Sequence, residues 1–331
     1  MARVAAQVNS EDAPQPICPS LEAFETMPKQ DRLSKAIYTK LKEQLLRDEV
    51  SREDRAWALS RTQFNAGSWM YAIPMVKRFQ CGSLVFKIML QIHMGRDVLG
   101  TEYITKCGVC GKKADQSFKT GRHCMTGCQR GHRVRTHNNL RDVIHQMYKA
   151  LGVAAEKEVL GLFSQLSRSN EYRPADVLVP PSATGGALHQ ALDITITDPT
   201  NKTNLQKHSD RTPLKAATEA HKRKMDNYQK QLEQAGQAGL QFTKAPLAFE
   251  TTGAMGAETQ KWWEGVLELA KERDPIRQIA DSTWTAKKFA PYYLQLISMT
   301  QARSNAEAVI AWMGKSRSPT DYDNDNLTEH V

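Results

Sequence analysis

Apolar residues recur at helical spacing in the first third of the chain and predict a helical region over residues 21–105. Between residues 20 and 50 they share one helix face, formed by Leu33, Ile37, Leu41 and Leu45. Ser51 followed by Asp54 has the form of a capping box with the shorter acid, so a second helix is expected over 51–66. After a break that contains glycine and proline, an apolar helix is expected over 81–95.

Short β-branched runs mark the second half of the chain. A helix over 138–151, ended by Gly152, precedes them. Strands are then expected at 159–163, 176–179, 192–197 and 246–251, the last of them after a long helix over 213–235. A final helix contains Trp262 and Trp263. The order αβββαβ predicts an α/β fold with a mixed sheet over residues 137–303.

The two ends of the chain are poor in apolar residues. Residues 1–20 are expected to form a disordered tail, and residues 304–331 a largely disordered C-terminal extension. The N-terminal tail has no apolar core of signal-peptide length, and no apolar stretch reaches the roughly 18 residues of a membrane span. We therefore expect an intracellular protein that does not enter a membrane.

Composition and charge indicate a class of binding partner. An apolar fraction of 40% favours a folded body, and a formal net charge of +9 favours a polyanionic partner. Ten Lys and Arg residues lie between Lys106 and Lys149, against only Asp115 and Asp142. We expect this segment to bind nucleic acid through Arg130, Arg133, Arg135 and His137. The alternative is a positive face that serves solubility alone.

Most of the cysteines lie within one basic segment, residues 106–136. They are Cys107, Cys110, Cys124 and Cys128. Pairs at this spacing supply the soft, tetrahedral ligands that structural zinc requires, and metal thiolates are favoured over disulfides where no secretory signal precedes them. Four buried thiols without a metal are the alternative, disfavoured because so polar a segment has little apolar surface to stabilise it.

Two of the expected strands each carry an aspartate. Asp176 begins one run and Asp193 lies within the next. If the two strands pair, the carboxylates converge at one end of the sheet, where their mutual repulsion is costly unless a hard cation neutralises them. The pair therefore predicts a magnesium site of the kind that nucleases use.

Together these features resemble the C-terminal region of a non-LTR retrotransposon reverse-transcriptase protein. In that family a zinc knuckle precedes a restriction-enzyme-like endonuclease of the PD-(D/E)XK superfamily. The resemblance covers about residues 60–300, and its further motifs are His137-Asn138, Arg141-Asp142, Arg173 to Asp176, Asp198-Pro199, Ala220-His221, Tyr228 and Phe249 to Gly256. No segment resembles a polymerase palm, so we expect a fragment, a degraded copy or a free-standing derivative of such an element.

The resemblance assigns roles to the acidic residues and to one lysine. It implies that Asp176 and Asp193 bind Mg²⁺ or Mn²⁺, with the carbonyl oxygen of Ile194 as a further ligand. The superfamily's lysine is expected two residues after the second acid, where this chain has Thr195. Retroelement nucleases move that lysine to the following helix, and Lys224 fits the relocated position.

Other roles implied by the resemblance stay open between neighbouring residues. Glu158 is a third catalytic acid, with Glu156 as its competitor. His137 contacts phosphate or braces the metal site. The family's third zinc ligand is a histidine, and in this register Cys124 holds that place with His123 beside it as the alternative ligand.

The expected function is that of a metal-dependent DNA endonuclease, coupled in its parent element to reverse transcription at the nick. Its expected partners are DNA, the element RNA and a reverse-transcriptase polypeptide, and its expected location is the nucleus. The alternatives are a zinc-containing nucleic-acid-binding module that has lost activity and a host protein that reuses the fold as a scaffold.

Overall fold

A computed structural model describes most of the chain from residue 49 onward. The described residues are 39–40, 43–44, 47, 49–128, 132–159, 175–234, 242–273 and 285–316. The predicted N-terminal tail and most of the first predicted helix lie outside them, as do residues 160–163 of a predicted strand, Arg130, Arg173 and the chain end after residue 316.

The N-terminal part of the described chain is helical, as the apolar spacing predicts. Helix α1 spans Arg52–Arg61. The Oγ atom of Ser51 accepts a hydrogen bond from the Asp54 amide at 3.1 Å, which confirms Ser51 as the N-cap, and donates one to the Asp54 carboxylate at 2.8 Å. Helix α2 spans Ser83–Met94 and ends at Gly95, whose φ of 68° is the left-handed conformation typical of a C-terminal cap.

Within the described residues, four strands form one mixed sheet with the strand order of the sequence. They are β1 (Glu156–Lys157), β2 (Val177–Val179), β3 (His189–Thr197) and β4 (Phe242–Glu250). β1 pairs with β2 and β2 pairs with β3 in antiparallel fashion, whereas β3 and β4 are parallel. The parallel pair requires a crossover, which helices α5 (Lys202–Gln206) and α6 (Lys215–Gln234) provide.

Helices cover both faces of the sheet. Short helix α3 (Gln116–Lys119), long helices α4 (His132–Ala150) and α7 (Ala257–Arg273) and the C-terminal α8 (Phe289–Ser316) complete the described elements. Apolar residues of β2, β3 and β4 share the main core with α4, α7 and α8. On the other face α6 approaches closely, because the buried residues there include Ala217 and Ala220 of α6 and Ala248 of β4.

Helix α8 corrects the domain boundary that the sequence suggested. The predicted C-terminal extension begins at residue 304, but α8 continues without a break to Ser316. Its last turns are anchored in the main core, where Val309 and Trp312 are both fully buried. Residues 304–316 therefore belong to the folded body.

The predicted α/β class with a mixed sheet is confirmed at that level. From α4 to β4 the elements follow the predicted order, with α5 as an added short helix. The first described strand lies at Glu156–Lys157, whereas residues 160–163 of the predicted strand lie outside the described residues, and β4 begins at Phe242, before the predicted 246. None of the helices in the described part of the chain combines the length and the apolar character that a membrane crossing requires.

Candidate functional site

The register of β2 and β3 brings the two predicted acids together. Val177 pairs with Leu192, so the residues one step further, Asp176 and Asp193, lie opposite each other at the end of the pairing. The amide of Asp176 donates a hydrogen bond to the carbonyl oxygen of Leu192 at 2.8 Å, which fixes this arrangement through the main chain. The two acids therefore occupy facing positions at the end of the strand pairing, as the strand pattern predicts.

Asp176 is held from two sides. Its Oδ2 atom accepts a hydrogen bond from the Ile194 amide at 2.6 Å, and the Nε2 atom of His137 lies 3.0 Å from the same oxygen. His137 projects from α4, so the carboxylate links that helix to the sheet. The side chains of both residues remain partly exposed, at 27% for His137 and 19% for Asp176.

The two aspartates alter the charge state of His137. Burial alone lowers the pKa of this imidazole, but the hydrogen bond to Asp176 and the negative charges of Asp176 and Asp193 outweigh that effect and raise it above its usual value. His137 therefore carries a positive charge over a wider pH range than an exposed histidine. A positively charged imidazole beside two carboxylates stabilises them electrostatically.

Asp193 is paired with two lysines. The Nζ atom of Lys224, on α6, lies 3.0 Å from Oδ1, and the Nζ atom of Lys244, on β4, lies 3.0 Å from Oδ2. Lys224 is thus found where the resemblance implies, beside the second acid. The carboxylate of Asp193 itself is largely buried, with 12% of its side chain exposed.

Lys244 is the site residue that the sequence reasoning missed. It lies on the parallel partner of β3, where it pairs with Ala191, two residues before Asp193. Its side chain is only 6% exposed, and its ammonium group lies 5.8 Å from the centre of the Tyr228 ring. The available signal was a lysine inside a strand that is otherwise mostly apolar or uncharged, since a buried lysine needs a paired acid.

Glu158 lies beside the acid pair but directs its carboxylate elsewhere. Its amide donates a hydrogen bond to the carbonyl oxygen of Asp176 at 3.1 Å, whereas its carboxylate forms an ion pair with Arg141. Arg141 also pairs with Asp142 at 3.0 Å. The competing acid, Glu156, is exposed on β1. The catalytic role of Glu158 stays a prediction, and the contact seen for its carboxylate is the ion pair with Arg141.

The cysteine cluster is formed by Cys107, Cys110, His123 and Cys128. Their donor atoms all lie within 4.8 Å of one another, with 3.9 Å between the sulfurs of Cys107 and Cys128 and 3.4 Å between the Cys110 sulfur and His123 Nε2. This cluster can hold a metal ion. Among the described residues it is the one group of three or more potential ligands at this spacing.

His123, rather than Cys124, is the third member of the cluster. The two residues are neighbours, and the sequence favoured the cysteine. In the folded chain the Cys124 thiol is buried and donates a hydrogen bond to the Gly121 carbonyl oxygen at 3.0 Å, and it is not among the donors that lie within 4.8 Å of one another. Burial also raises the pKa of the Cys124 thiol well above its usual value, which opposes its use as a thiolate ligand.

N–H donors surround the Cys107 sulfur. The amides of Val109 and Cys110 lie 3.4 Å from it and the indole N–H of Trp312 lies 3.2 Å from it. Burial raises the pKa of the Cys107 thiol, but these donors outweigh burial and lower it to about 6. These donors favour the thiolate form of Cys107, and one of them, Trp312, belongs to helix α8.

A cleft of about 370 Å³ separates the cysteine cluster from the end of β3. Its lining residues are Lys112, Ser117, Arg122, His123, Ile196, Thr197, Asp198, Thr200, Asn201 and Arg223. Three of them are cationic and one is acidic, and Lys112 and Arg122 pair with Asp115 and Asp54 at 2.6 and 2.8 Å. Arg223 precedes Lys224 on α6, but the residues that line the cleft include neither Lys224 nor the two acids.

Of the predicted nucleic-acid contacts, the two whose side chains the structure describes, Arg135 and His137, do not line this cleft. Arg130 lies outside the described residues, and Arg133 lies in the first turn of α4, where only its main chain is described. Arg135 is exposed and pairs with Glu307 of α8 at 3.0 Å. His137 is committed to Asp176, as described above.

Comparison with known proteins identifies no relative. No family model matches the chain, and no curated protein matches it. Two sites in the structure therefore bear on the function. One is a cluster that can hold a metal ion, and the other is a pair of acids with lysines and a histidine within hydrogen-bond distance.

Proposed function

We propose that the protein is a metal-dependent DNA endonuclease that nicks its target by phosphodiester hydrolysis. The observation that carries this proposal is the contact between Lys224 Nζ and Asp193 Oδ1 at 3.0 Å, opposite Asp176. Two acids and a lysine within reach of one another are the groups that this chemistry uses. A purely structural role requires none of them in that arrangement.

The topology supports a restriction-endonuclease-like core. The strand order β1-β2-β3-β4, with a parallel final pair reached through α6, is compatible with the αβββαβ arrangement expected from the resemblance. In that arrangement the acids lie on the central strands, and a helix that crosses the sheet can supply the lysine. Lys224 on α6 is consistent with this division of roles.

The donor atoms of the acid pair are suited to a hard divalent cation. Carboxylate oxygens are ligands that Mg²⁺ and Mn²⁺ prefer, and Asp176 and Asp193 are the residues that would hold one. A bound cation supplies Lewis acidity and lowers the pKa of a water molecule. His137 orients Asp176 for this role through its 3.0 Å contact, and the Lys224 ammonium stabilises negative charge on the phosphate.

The cysteine cluster is proposed to hold a structural zinc ion. Tetrahedral zinc with Zn–S distances of about 2.3 Å places its sulfur ligands about 3.8 Å apart. The Cys107 and Cys128 sulfurs lie 3.9 Å apart, in agreement with that requirement. Three cysteines and one histidine are also a ligand set that structural zinc sites use.

DNA is the proposed substrate because the cleft beside the cluster is cationic. Lys112, Arg122 and Arg223 line it, and Arg223 precedes Lys224 on α6. Cationic side chains attract phosphates regardless of base sequence. The origin in a retroelement, the association with element RNA and a reverse-transcriptase polypeptide, and the nuclear location follow from the resemblance and are part of the same proposal.

The experiment that tests this function compares two lysines of one helix. Purified protein is incubated with supercoiled plasmid and Mg²⁺ or Mn²⁺, beside Lys224→Ala and Lys222→Ala. Lys222 is exposed and points about 160° away from Lys224 around the helix. Loss of Lys224 should lower the nicking rate by roughly 10²- to 10³-fold and loss of Lys222 by much less. Equal losses would contradict the assignment.

A nucleic-acid-binding module without activity is the second candidate. It is favoured by the neutralisation of Asp193, both of whose oxygens already have a lysine partner at 3.0 Å. A site balanced in this way is stable without a cation. The same plasmid assay separates the two candidates, because this module would bind the plasmid and leave it supercoiled.

A further inference from the structure

The two lysines that share Asp193 differ in how firmly they are held. Lys244 is 6% exposed and Lys224 is 33% exposed, although both ammonium groups lie 3.0 Å from the same carboxylate. Lys244 starts from the adjacent parallel strand, so its reach to Asp193 crosses a short and rigid part of the sheet. Lys224 projects from α6, which packs against one face of the sheet, and its side chain is partly exposed to solvent.

The surroundings of Lys244 favour a permanent contact. Its ammonium lies 5.8 Å from the centre of the Tyr228 ring, within the range of a cation–π interaction. Tyr228 is itself buried with Ala191 and Phe242 in a small apolar cluster below the acid. Removing Lys244 from Asp193 would leave a charged group in this apolar environment, which is strongly unfavourable.

Lys224 can leave Asp193 at a much lower cost. One third of its side chain is already exposed, so water can replace the carboxylate as the partner of its ammonium group. Its flexible four-carbon stem allows the ammonium to turn toward the open side of the site without movement of α6. Oδ1 is therefore the oxygen of Asp193 that can change its partner.

We propose that Lys244 is a positioning residue that permanently holds Oδ2 of Asp193, and that Lys224 is an exchangeable partner that yields Oδ1 to a divalent cation. This inference rests on the proposed function and deepens it. The exchange keeps Asp193 oriented in both states and limits the accumulation of positive charge around one carboxylate. It also releases the Lys224 ammonium toward the phosphate, where its charge is useful.

The exchange is tested by direct binding of Mn²⁺ to the full-length, zinc-loaded protein, with electron paramagnetic resonance of free Mn²⁺ as the readout. Lys224→Met, Lys244→Met and Lys244→Arg are compared with the wild-type chain. Asp193→Asn defines the binding that occurs elsewhere on the molecule. Plasmid nicking by the wild-type protein is measured in parallel, so that failure of the exchange and failure of the nuclease function are distinguished.

Opposite shifts are expected for the two methionine variants. Lys224→Met should bind Mn²⁺ at least about threefold more tightly, because a competing cation is gone. Lys244→Met should bind it about 10- to 100-fold more weakly, the loss typical when a group that orients a metal ligand is removed. Lys244→Arg should largely restore binding. If Lys244→Met fails to fold, Lys244→Gln takes its place with the same expected direction.

Two results would overturn the proposal. Tighter binding by both methionine variants would mean that Lys244 acts only as a positive charge. A wild-type protein that binds no more Mn²⁺ than Asp193→Asn would exclude the exchange. If that protein still nicks plasmid with the added metal, the nuclease function survives and the exchange alone is wrong, whereas loss of both rejects both.

Discussion

The Nζ atom of Lys224 lies 3.0 Å from the Oδ1 atom of Asp193, across 31 positions of sequence. The contact joins the middle of α6 to the strand that carries the second acid. It depends on the close packing of α6 against the sheet, which small residues such as Ala217 and Ala220 permit. The position of Lys224 beside Asp193 thus depends on helix packing as much as on the charged residues themselves.

The choice between two neighbouring ligands gives a prediction for the cysteine cluster. Freshly purified protein should contain one zinc ion per chain, and His123→Ala should lose most of it because a ligand is missing. Cys124→Ser should keep its zinc, since a hydroxyl can replace the thiol as donor to the Gly121 carbonyl oxygen. Metal analysis by mass spectrometry measures both variants. Zinc lost from Cys124→Ser but retained by His123→Ala would reverse the assignment.

The indole of Trp312 should stabilise the cluster from a distance in sequence. Trp312→Phe keeps the aromatic packing on Phe118 but removes the N–H donor that lies 3.2 Å from the Cys107 sulfur. We expect a weaker zinc site, by about 1.5 kcal/mol or roughly tenfold in affinity, because a charge-assisted hydrogen bond is lost. Competition with a chromophoric chelator measures the change. An unchanged affinity would show that α8 contributes packing alone.

A buried ion pair predicts how the fold responds to acid. Asp210 is fully buried and pairs with Arg55 at 3.0 Å and with the more exposed Arg52 at 2.9 Å. The hydrogen bond from Arg52 and the one from Arg55 hold the pKa of the Asp210 carboxyl well below its usual range. The folded state therefore has the lower pKa, so this stabilisation is complete above the usual value of 3.8 and is lost as the pH falls toward the depressed one.

Asp210→Asn should reveal this contribution. At pH 7 the variant should lose roughly 3 kcal/mol in the free energy of unfolding, because Arg55 is left buried without its charge partner. The difference from wild type should shrink as the pH is lowered well below 3.8. Urea unfolding at several pH values measures it, and a difference that grows in acid would contradict the sign of the argument.

The cleft between the cysteine cluster and the sheet should contribute to DNA affinity. Arg223→Ala should weaken binding to plasmid fragments and lower the slope of affinity against salt by about one unit, the effect of one lost phosphate contact. Lys261→Ala is the matched control, since Lys261 is 69% exposed on α7 and does not line the cleft. Equal effects of the two substitutions would locate the DNA elsewhere.

Local sequence patterns predicted the helices and strands that carry the site better than the contacts between its side chains. Ser51 with Asp54 fixed a helix start, and the strand pattern around Asp176 and Asp193 was sufficient to bring the acids together, since pairing follows from alternation and turn positions. Lys244 was missed because the strand was predicted to begin at residue 246, which left Lys244 outside it, whereas the strand begins at Phe242 and pairs Lys244 with Ala191.

Two other differences also arise from tertiary contacts. Cysteine spacing does not show which of two adjacent side chains turns toward a cluster, and the chain turns His123 inward and Cys124 toward Gly121. The polar sequence near residue 304 favoured disorder. In the fold Gln301 and Asn305 are buried and donate hydrogen bonds to main-chain carbonyl oxygens at the end of β4, so polarity there serves packing.

The most direct test of the nuclease proposal measures cleavage and binding on the same preparations. Wild-type protein, Asp176→Ala and Asp193→Ala are each assayed for nicking of supercoiled plasmid with Mg²⁺ or Mn²⁺ and for binding to a DNA fragment. We predict that the wild-type protein nicks the plasmid and that both variants do not. The DNA affinity of the variants should stay within about threefold of the wild-type value, because the acids activate water and do not bind the DNA backbone. Full nicking activity in Asp193→Ala, or a wild-type protein that binds DNA but never cuts it, would contradict the account.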